Sequence, residues 1–312
     1  MASKSIMRTM LKIFKKTSIT EKIFFILAIV LIIIMLINHG CPYKEGFEET
    51  KEFSVKTGPL IYDDFYASIY DDLVFDQIKN DYEVGEIINK TTPNTESIIL
   101  DIGSGTGHHV KSFTDKGFNT IGLDISPAMI KQAKKSYPEL DFRQGDVLDT
   151  MAFPAGSFTH ITSLYFTIYY VEDKRRFFEN CMQWLMPGGY LMLHLVDRDN
   201  FDPIIPAGDP FGIVSPQNYV DKRITDTVVK FDDFDYKSKF ELTSGDVAIM
   251  SETFKYKNKG GKVRKNEHKL YMPTQKKILG IAKDVGFILL SQIDLIRCQY
   301  GNQYIYILQK PN

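Results

Sequence analysis

Three aspartates and three glycines carry the first chemical signal. Asp101 closes an apolar run, SIILDI, and Gly103, Gly105 and Gly107 follow it in strict alternation. A loop so rich in glycine lets backbone N–H groups and a helix N-terminus come close to a ligand. Dinucleotide loops space their glycines as G-x-G-x-x-G and receive a pyrophosphate. Here the spacing differs, and a carboxylate at 101 would repel phosphate while pairing well with an ammonium group. Asp124 ends a second apolar run, 23 residues on, where an acid can accept both hydroxyls of a ribose. Asp146, in QGDVL, follows a third run and is placed to accept from the exocyclic amine of adenine, with capping of its own turn the lesser reading. Three carboxylates at three successive strand ends suit a cationic nucleoside. S-adenosyl-L-methionine is one, with an α-amino group, a sulfonium and no phosphate.

For those carboxylates to meet, the runs that carry them must be neighbouring parallel strands, and the intervening pattern agrees. SIILDI reads as a buried strand and GHHVKSFTDKG as a helix closed by Gly117. NTIGLDI is a second strand, and PAMIKQAKKSY a helix with Ser126 as its cap and Pro127 in its first turn. LDFRQGD and SFTHITSLYF are strands, EDKRRFFENCMQWLM is a helix, and YLMLHLV is a fifth strand. Such alternation predicts an α/β fold, a three-layer doubly wound and mostly parallel sheet. Upstream, YDDFYASIYDDLVFDQIKNDYEVGEII is aromatic at first and helical by period from about Phe75, with Ile78, Tyr82 and Ile87 on one side. Downstream, the proline-rich stretch from Asp197 reads as a lid. FDYKSKFEL alternates as an antiparallel strand, and a hairpin turns near Gly260 and Gly261. A helix capped by Thr274 and Gly286 and two strands near 287–294 and 303–309 end the chain. The expected organisation is a basic segment 1–22, a transmembrane helix 23–40, a linker 41–60, and a catalytic domain 61–312 in which 197–272 is an inserted lid and antiparallel β region.

At this point the sequence resembles the seven-stranded class I S-adenosylmethionine-dependent methyltransferases. ILDIGSGTG looks like their first motif, IGLDIS the second and FRQGDVLD the third; the stretch from SFTHITS to GGYLML is similar to their fourth and fifth strands. YDDFYASIYD is similar to the aromatic segment that often covers the cofactor. The resemblance runs from about Tyr62 to Val196 and resumes in the last helix and two strands. It implies an antiparallel C-terminal edge with one strand inserted between its neighbours. It also implies a cofactor set: Asp101, Gly103, Ser104, Gly105 and Gly107 in the loop, Asp124 and Ile125 after the second strand, Asp146 and Val147 after the third, and Ser163 at the end of the fourth. Thr159 and Met186 depart from the family's usual Asp and Lys at positions that look structural.

Methyl transfer needs positioning first and, for weakly acidic nucleophiles, a base. Candidates at the strand ends are Tyr165 and His194, the latter interrupting an apolar strand; a buried, hydrogen-bonded histidine is the reading favoured over a base at 194. Tyr66, Tyr70, Tyr169 and Tyr170 could line a substrate pocket or fill core. No metal is expected. His108 and His109 open a helix, and Cys41, Cys181 and Cys298 have no paired spacing.

The 312 residues are 44% hydrophobic and 25% charged with a net charge of −1, so no global field favours nucleic acid. The lysines of the hairpin, Lys255 to Lys265, alternate with Phe254 and Tyr256 as an ordinary solvated strand face would. Lys4, Arg8, Lys12, Lys15, Lys16 and Lys22 precede fifteen uninterrupted apolar residues, 23–37. That run covers roughly 22 Å against roughly 30 Å of hydrocarbon, a gap that bilayer thinning could close. A cleaved signal peptide is the rival reading. The expectation is a single-pass membrane protein with its N-terminus cytoplasmic by charge bias and a small-molecule or lipid-like acceptor. Against it, that topology puts the domain across the membrane from cytosolic cofactor. A non-catalytic membrane scaffold and a protein or RNA methyltransferase are the alternatives; the glycine spacing and Asp101 argue against a dehydrogenase.

Overall fold

The computed structural model describes residues 53–208, 217, 223–243, 245–258 and 260–312, with Thr20, Lys22, Ile23 and Leu27 near the N-terminus. The chain divides into two units, 1–50 and 51–312, and everything below concerns the second. In chain order its regular elements begin with β1 (Phe53–Thr57), α1 (Asp64–Val74), α2 (Gln77–Thr91), β2 (Ile98–Ile102), α3 (His108–Asp115), β3 (Asn119–Asp124), α4 (Pro127–Ser136) and β4 (Asp141–Gln144). They continue with β5 (Phe158–Ser163), α5 (Thr167–Tyr170), α6 (Lys174–Trp184) and β6 (Leu185–Val196). After the proline-rich stretch come β7 (Asp226–Lys230), β8 (Phe234–Leu242), β9 (Val247–Tyr256) and β10 (Val263–Tyr271), then α7 (Gln275–Val285), β11 (Ile288–Asp294) and β12 (Gln303–Gln309).

Two sheets result. The larger has seven strands in the order β11-β12-β6-β5-β2-β3-β4. Its pairings are parallel from β6 through β5, β2 and β3 to β4. β12 is antiparallel to both β6 and β11, and lies between them. The order steps from β2 to β3 on one side and to β5 on the other, so a crevice opens at the carboxyl ends of β2 and β5, where ligands of open α/β sheets bind. Strand β2 is buried along nearly its whole length, because helices cover both faces. On β6, Leu191, Leu193 and Leu195 pack with Phe177, Phe178 and Trp184 of α6 and Ile278 of α7. Met192 faces the other way, with Val84 and Ile87 of α2 and Phe113 of α3.

The smaller sheet, β1-β10-β9-β8-β7, is antiparallel except for β1, which pairs in parallel with β10. Alternate residues turn inward: Phe234, Tyr236 and Phe240 of β8, Glu252 and Phe254 of β9, and Arg264, Asn266, His268 and Leu270 of β10 are buried. This inner face packs on α1, where Tyr66, Ala67 and Leu73 join Phe234, Tyr236 and Phe254 in one cluster.

Several expectations are revised. β1 lies inside the stretch read as a linker, and α1 occupies the stretch whose helical period was not visible; Asp63 caps it by accepting from Tyr66 N at 3.1 Å. Arg264 is not on a solvated face: it is buried and donates twice to Asp63, at 2.8 and 2.9 Å. The membrane reading is corrected as well. Among the described residues no helix is long and apolar enough to cross a membrane. Apart from Ile23 and Leu27, the run 23–37 lies outside the described residues, and its roughly 22 Å falls short of a hydrocarbon core. The single-pass placement and the orientation drawn from it are withdrawn.

Candidate active site

The glycine loop leaves β2 and enters α3. Gly103, Gly105 and Gly107 all have positive φ, at 73°, 54° and 95°. Two of them are also sterically closed: a Cβ at 103 would lie 2.3 Å from Thr167 Oγ1, and one at 107 would lie 2.5 Å from Phe142 Cζ. Gly105 differs, since the nearest atom to its Cβ position is Tyr70 Cε1 at 3.8 Å. The loop is held by Gly103 N and Ser104 N, which both donate to Leu123 O, at 2.7 and 3.0 Å.

The two deeper aspartates flank this loop. Asp101 is buried and accepts from Thr162 Oγ1 at 2.7 Å; burial raises its pKa, opposed by His109 and by the Thr162 hydrogen bond. Asp124 accepts from Gly105 N at 2.9 Å and Ser126 N at 2.8 Å. Burial raises its pKa too, with those two N–H groups pulling the other way. Each is a carboxylate short of partners, which a cation or a diol would supply. Asp146 is exposed, and one of its oxygens accepts from Leu148 N at 2.9 Å, a turn that keeps its carboxylate at the end of β4. Ile125 stands exposed beside Asp124 and Val147 is buried beside Asp146. The hydroxyls of Ser104 and Ser163 are buried without a hydrogen-bond partner. These unsatisfied hydroxyls and the open Cβ position of Gly105 fit a polar ligand laid across the loop.

A cavity of about 80 Å³ lies above the loop, lined by Tyr70, Asp76, Lys79, Glu83, Asp101, Gly103, Ser104 and Tyr165 among others. Lys79 and Glu83, an i,i+4 pair on α2 with both side chains buried, meet at 2.5 Å. His109 adds a contact of 2.9 Å to the other oxygen of Glu83. Burial alone would push Glu83 up, but Lys79 and His109 prevail and hold it at about 2. Lys79 Nζ sits 4.8 Å above the Tyr165 ring. Tyr165 itself has φ 54°, a conformation that costs a non-glycine residue roughly 1–3 kcal/mol and is typical of functional turns.

His194 does not reach this cavity. It is fully buried, with Nδ1 hydrogen-bonded to Tyr165 O and Nε2 at 3.1 Å from the Gln303 amide. Burial, reinforced by nearby Lys79, lowers its pKa to about 4. It fixes the turn at Tyr165 as a neutral ring, and both nitrogens are engaged. Tyr169 is likewise in the core, its hydroxyl accepting from Val196 N at 2.8 Å.

The other tyrosines converge under the small sheet. Tyr66 donates to Glu252 Oε1 at 2.9 Å, and Tyr170 contacts His268 Nδ1 at 2.8 Å. Tyr62 packs edge-on to Tyr66, Tyr70 and Tyr170, with ring centroids 5.4, 6.4 and 5.9 Å away. Its carbonyl accepts from Ser126 Oγ at 2.7 Å, and Ser126 Oγ in turn accepts from Met129 N at 3.1 Å to cap α4. Burial raises the phenols of Tyr62, Tyr66, Tyr70 and Tyr170, so all four stay protonated near neutral pH. Lys79, Glu83, Tyr62, Glu252 and His268 escaped the sequence reading. A polar residue in the inward phase of an alternating strand, as at 252, 266 and 268, was the available signal.

Residues 100–193 match the family model of a methyltransferase domain. The chain is 33% identical over 134 residues to a dTDP-4-amino-2,3,4,6-tetradeoxy-D-glucose N,N-dimethyltransferase of Saccharopolyspora spinosa, covering 42% of this chain and 52% of that protein. It is 28% identical over 142 residues to a dTDP-3-amino-3,4,6-trideoxy-alpha-D-glucopyranose N,N-dimethyltransferase of Streptomyces venezuelae, covering 43% and 58%. The chain therefore spans about half the length of the curated relatives it matches. Its fold is that of a solved S-adenosylmethionine-dependent methyltransferase from Clostridium acetobutylicum ATCC 824, with a TM-score of 0.60 at 17% identity, covering 80% of this chain and 98% of that one. The glycine loop and its carboxylates thus sit in a methyltransferase domain, and S-adenosyl-L-methionine is its cofactor.

Proposed function

We propose that this chain transfers the methyl group of S-adenosyl-L-methionine to the amine of a small polar molecule of the amino-sugar class. The observation that carries the methyl-transfer reading is the pair of under-partnered carboxylates, the buried Asp101 and the half-buried Asp124, on either side of a glycine loop at the crevice of the sheet. The relatives named above support the acceptor class.

When bound, the cofactor supplies a methyl group made electrophilic by its sulfonium. The chain's residues bind and orient. Asp101 offers charge to an ammonium, Lys79 offers a cation to a carboxylate, and Asp124 offers two oxygens to a ribose. Asp146 and Val147 stand where an adenine edge would lie, beside Ile125, and Ser104 and Ser163 supply unspent hydroxyls. Tyr70 and Tyr165 wall the cavity and exclude water, and Tyr66 and Tyr170 bound the acceptor side.

Calorimetry tests the first half: micromolar binding of S-adenosyl-L-methionine, lost in Asp124→Ala, is expected. No binding by a folded wild-type chain would reject the reading. Transfer of a labelled methyl group to dTDP-4-amino-2,3,4,6-tetradeoxy-D-glucose tests the second half.

A further inference from the structure

Behind the tyrosines lies a chain of contacts that cofactor binding does not need. Tyr170 OH is 2.8 Å from His268 Nδ1, and His268 Nε2 is 2.7 Å from Glu252 Oε2. Glu252 also accepts from Asn266 Nδ2 at 2.9 Å, and its other oxygen accepts from Tyr66 and Tyr236 at 2.9 and 2.8 Å. Glu252 and His268 are buried, whereas Tyr170 is partly buried.

The chemistry of the donors fixes the direction. Facing a carboxylate, Nε2 must carry the ring proton, so Nδ1 accepts and Tyr170 donates. Burial would raise Glu252, yet the neighbouring His268 and the hydrogen bonds from Asn266 and Tyr236 keep it below its ordinary value. An anion is thus held in an apolar sheet face at a considerable desolvation cost. A hydroxyl, an imidazole and a carboxylate in this order are the parts of a nucleophile–base–acid triad, with a phenol in the first place. Tyr170 belongs to α5, which follows the carboxyl end of β5, the strand whose Thr162 holds Asp101. The phenols of Tyr70 and Tyr165, which line the cofactor cavity, lie close enough to Tyr170 for it to raise both electrostatically.

We propose that Tyr170, His268 and Glu252 form a proton relay that removes the proton an amine acceptor must lose on methylation. The proposal rests on the amine-acceptor reading above. As the acceptor nitrogen's lone pair forms the new N–C bond, the methyl–sulfur bond breaks and its electron pair stays on sulfur. The nitrogen, now positively charged, gives a proton to the Tyr170 oxygen while the phenol's own proton passes to His268 Nδ1. The resulting imidazolium stands against Glu252, and positive charge has moved from the acceptor to the histidine. Tyr170 is the catalytic residue of the relay, and His268 and Glu252 act through it.

A test without acceptor comes first. The full chain is made with 3,5-difluorotyrosine, a more acidic phenol, at position 170, with ¹⁵N-labelled histidine. As pH rises, phenolate absorption is expected to appear in step with an imidazolium signature at His268, and Glu252→Gln abolishes the imidazolium. A neutral His268 while the phenolate forms only by titration to solvent would overturn the relay. In turnover with dTDP-4-amino-2,3,4,6-tetradeoxy-D-glucose, Tyr170→Phe and His268→Asn lower kcat by about 10²-fold, the scale of a lost general base. KM stays within about threefold, the split that marks loss of a transition-state interaction. Glu252→Asp retains more activity than Glu252→Gln. Unchanged kcat in Tyr170→Phe would also overturn the proposal. If the wild-type chain methylates no amino sugar, the acceptor class falls alone, and the proton shift at His268 still decides the relay.

Discussion

His268 Nε2 and Glu252 Oε2 meet at 2.7 Å between adjacent antiparallel strands, both side chains all but sealed from water. The contact places an ionisable pair in the inner face of a sheet whose other inward positions include Phe234, Phe240 and Phe254. Such a pair is retained only with its hydrogen bonds complete, since removing one partner strands a buried charge. Here Asn266, directly across from Glu252 in the strand register, completes it.

Acid stability has one source in α2. Glu83 sits at about 2 in the folded chain, against 4.5 ordinarily. A depressed carboxylate stabilises fully above its unfolded pKa, and the contribution is lost as pH falls through the folded value. The acid limb attributable to Glu83 therefore lies between pH 4.5 and 2, and is worth about 3 kcal/mol at 1.36 kcal/mol per unit. Urea unfolding across that window measures it, and Glu83→Gln is expected to lower stability at pH 7 while flattening the limb.

A second window opens higher. Folded His194 and His160 are both held at about 4 by burial, against 6.5 ordinarily. Between those values the unfolded chain binds the extra protons, so stability falls as pH drops from 6.5 to 4. Denaturant midpoints at pH 7 and pH 5 should differ in that direction. His194→Gln should reduce the difference, and an unchanged slope would contradict the buried neutral ring.

Gly107→Ala combines left-handed strain with a collision against Phe142. A loss of about 2–5 kcal/mol is expected, from roughly 1–2 for the backbone and 1–3 for overpacking. A thermal melt reads it directly.

Thr162→Val removes the hydroxyl that Asp101 accepts. The buried carboxylate left behind costs about 1–3 kcal/mol. Melting should shift downward, and cofactor affinity should change with it, because the oxygen set free is the one that orients Asp101. Calorimetry on the same variant separates the two effects.

Much of this architecture is legible in the sequence because parallel strands buried on both faces read as apolar runs, as β2 and the second half of β6 do. The glycine loop is legible for a different reason: its spacing and its flanking acids are local. The tyrosine cluster under the small sheet is not local. Tyr66 and Glu252 are 186 residues apart, and Asp63 and Arg264 are 201 apart, so no window contains both partners. The helix α1 was obscured by tyrosines, which are weak helix formers and whose burial is decided by the sheet that covers them. His194 was noticed for interrupting an apolar strand, but its sequence could not say that Tyr165 O and Gln303 would occupy both nitrogens.

Those same separations set an order of assembly. During synthesis, α1 and its tyrosines emerge some 200 residues before the strands that cover them. Contacts so distant along the chain form late and slowly, and an aromatic helix left bare meanwhile is a hazard that chaperones exist to manage. The glycine loop, by contrast, closes on neighbours within about 60 residues, at Thr162 and Asp124. The loop's own contacts therefore form before the tyrosine cluster is covered, but the sheet that carries the loop is completed only when β12, near the end of the chain, inserts between β6 and β11.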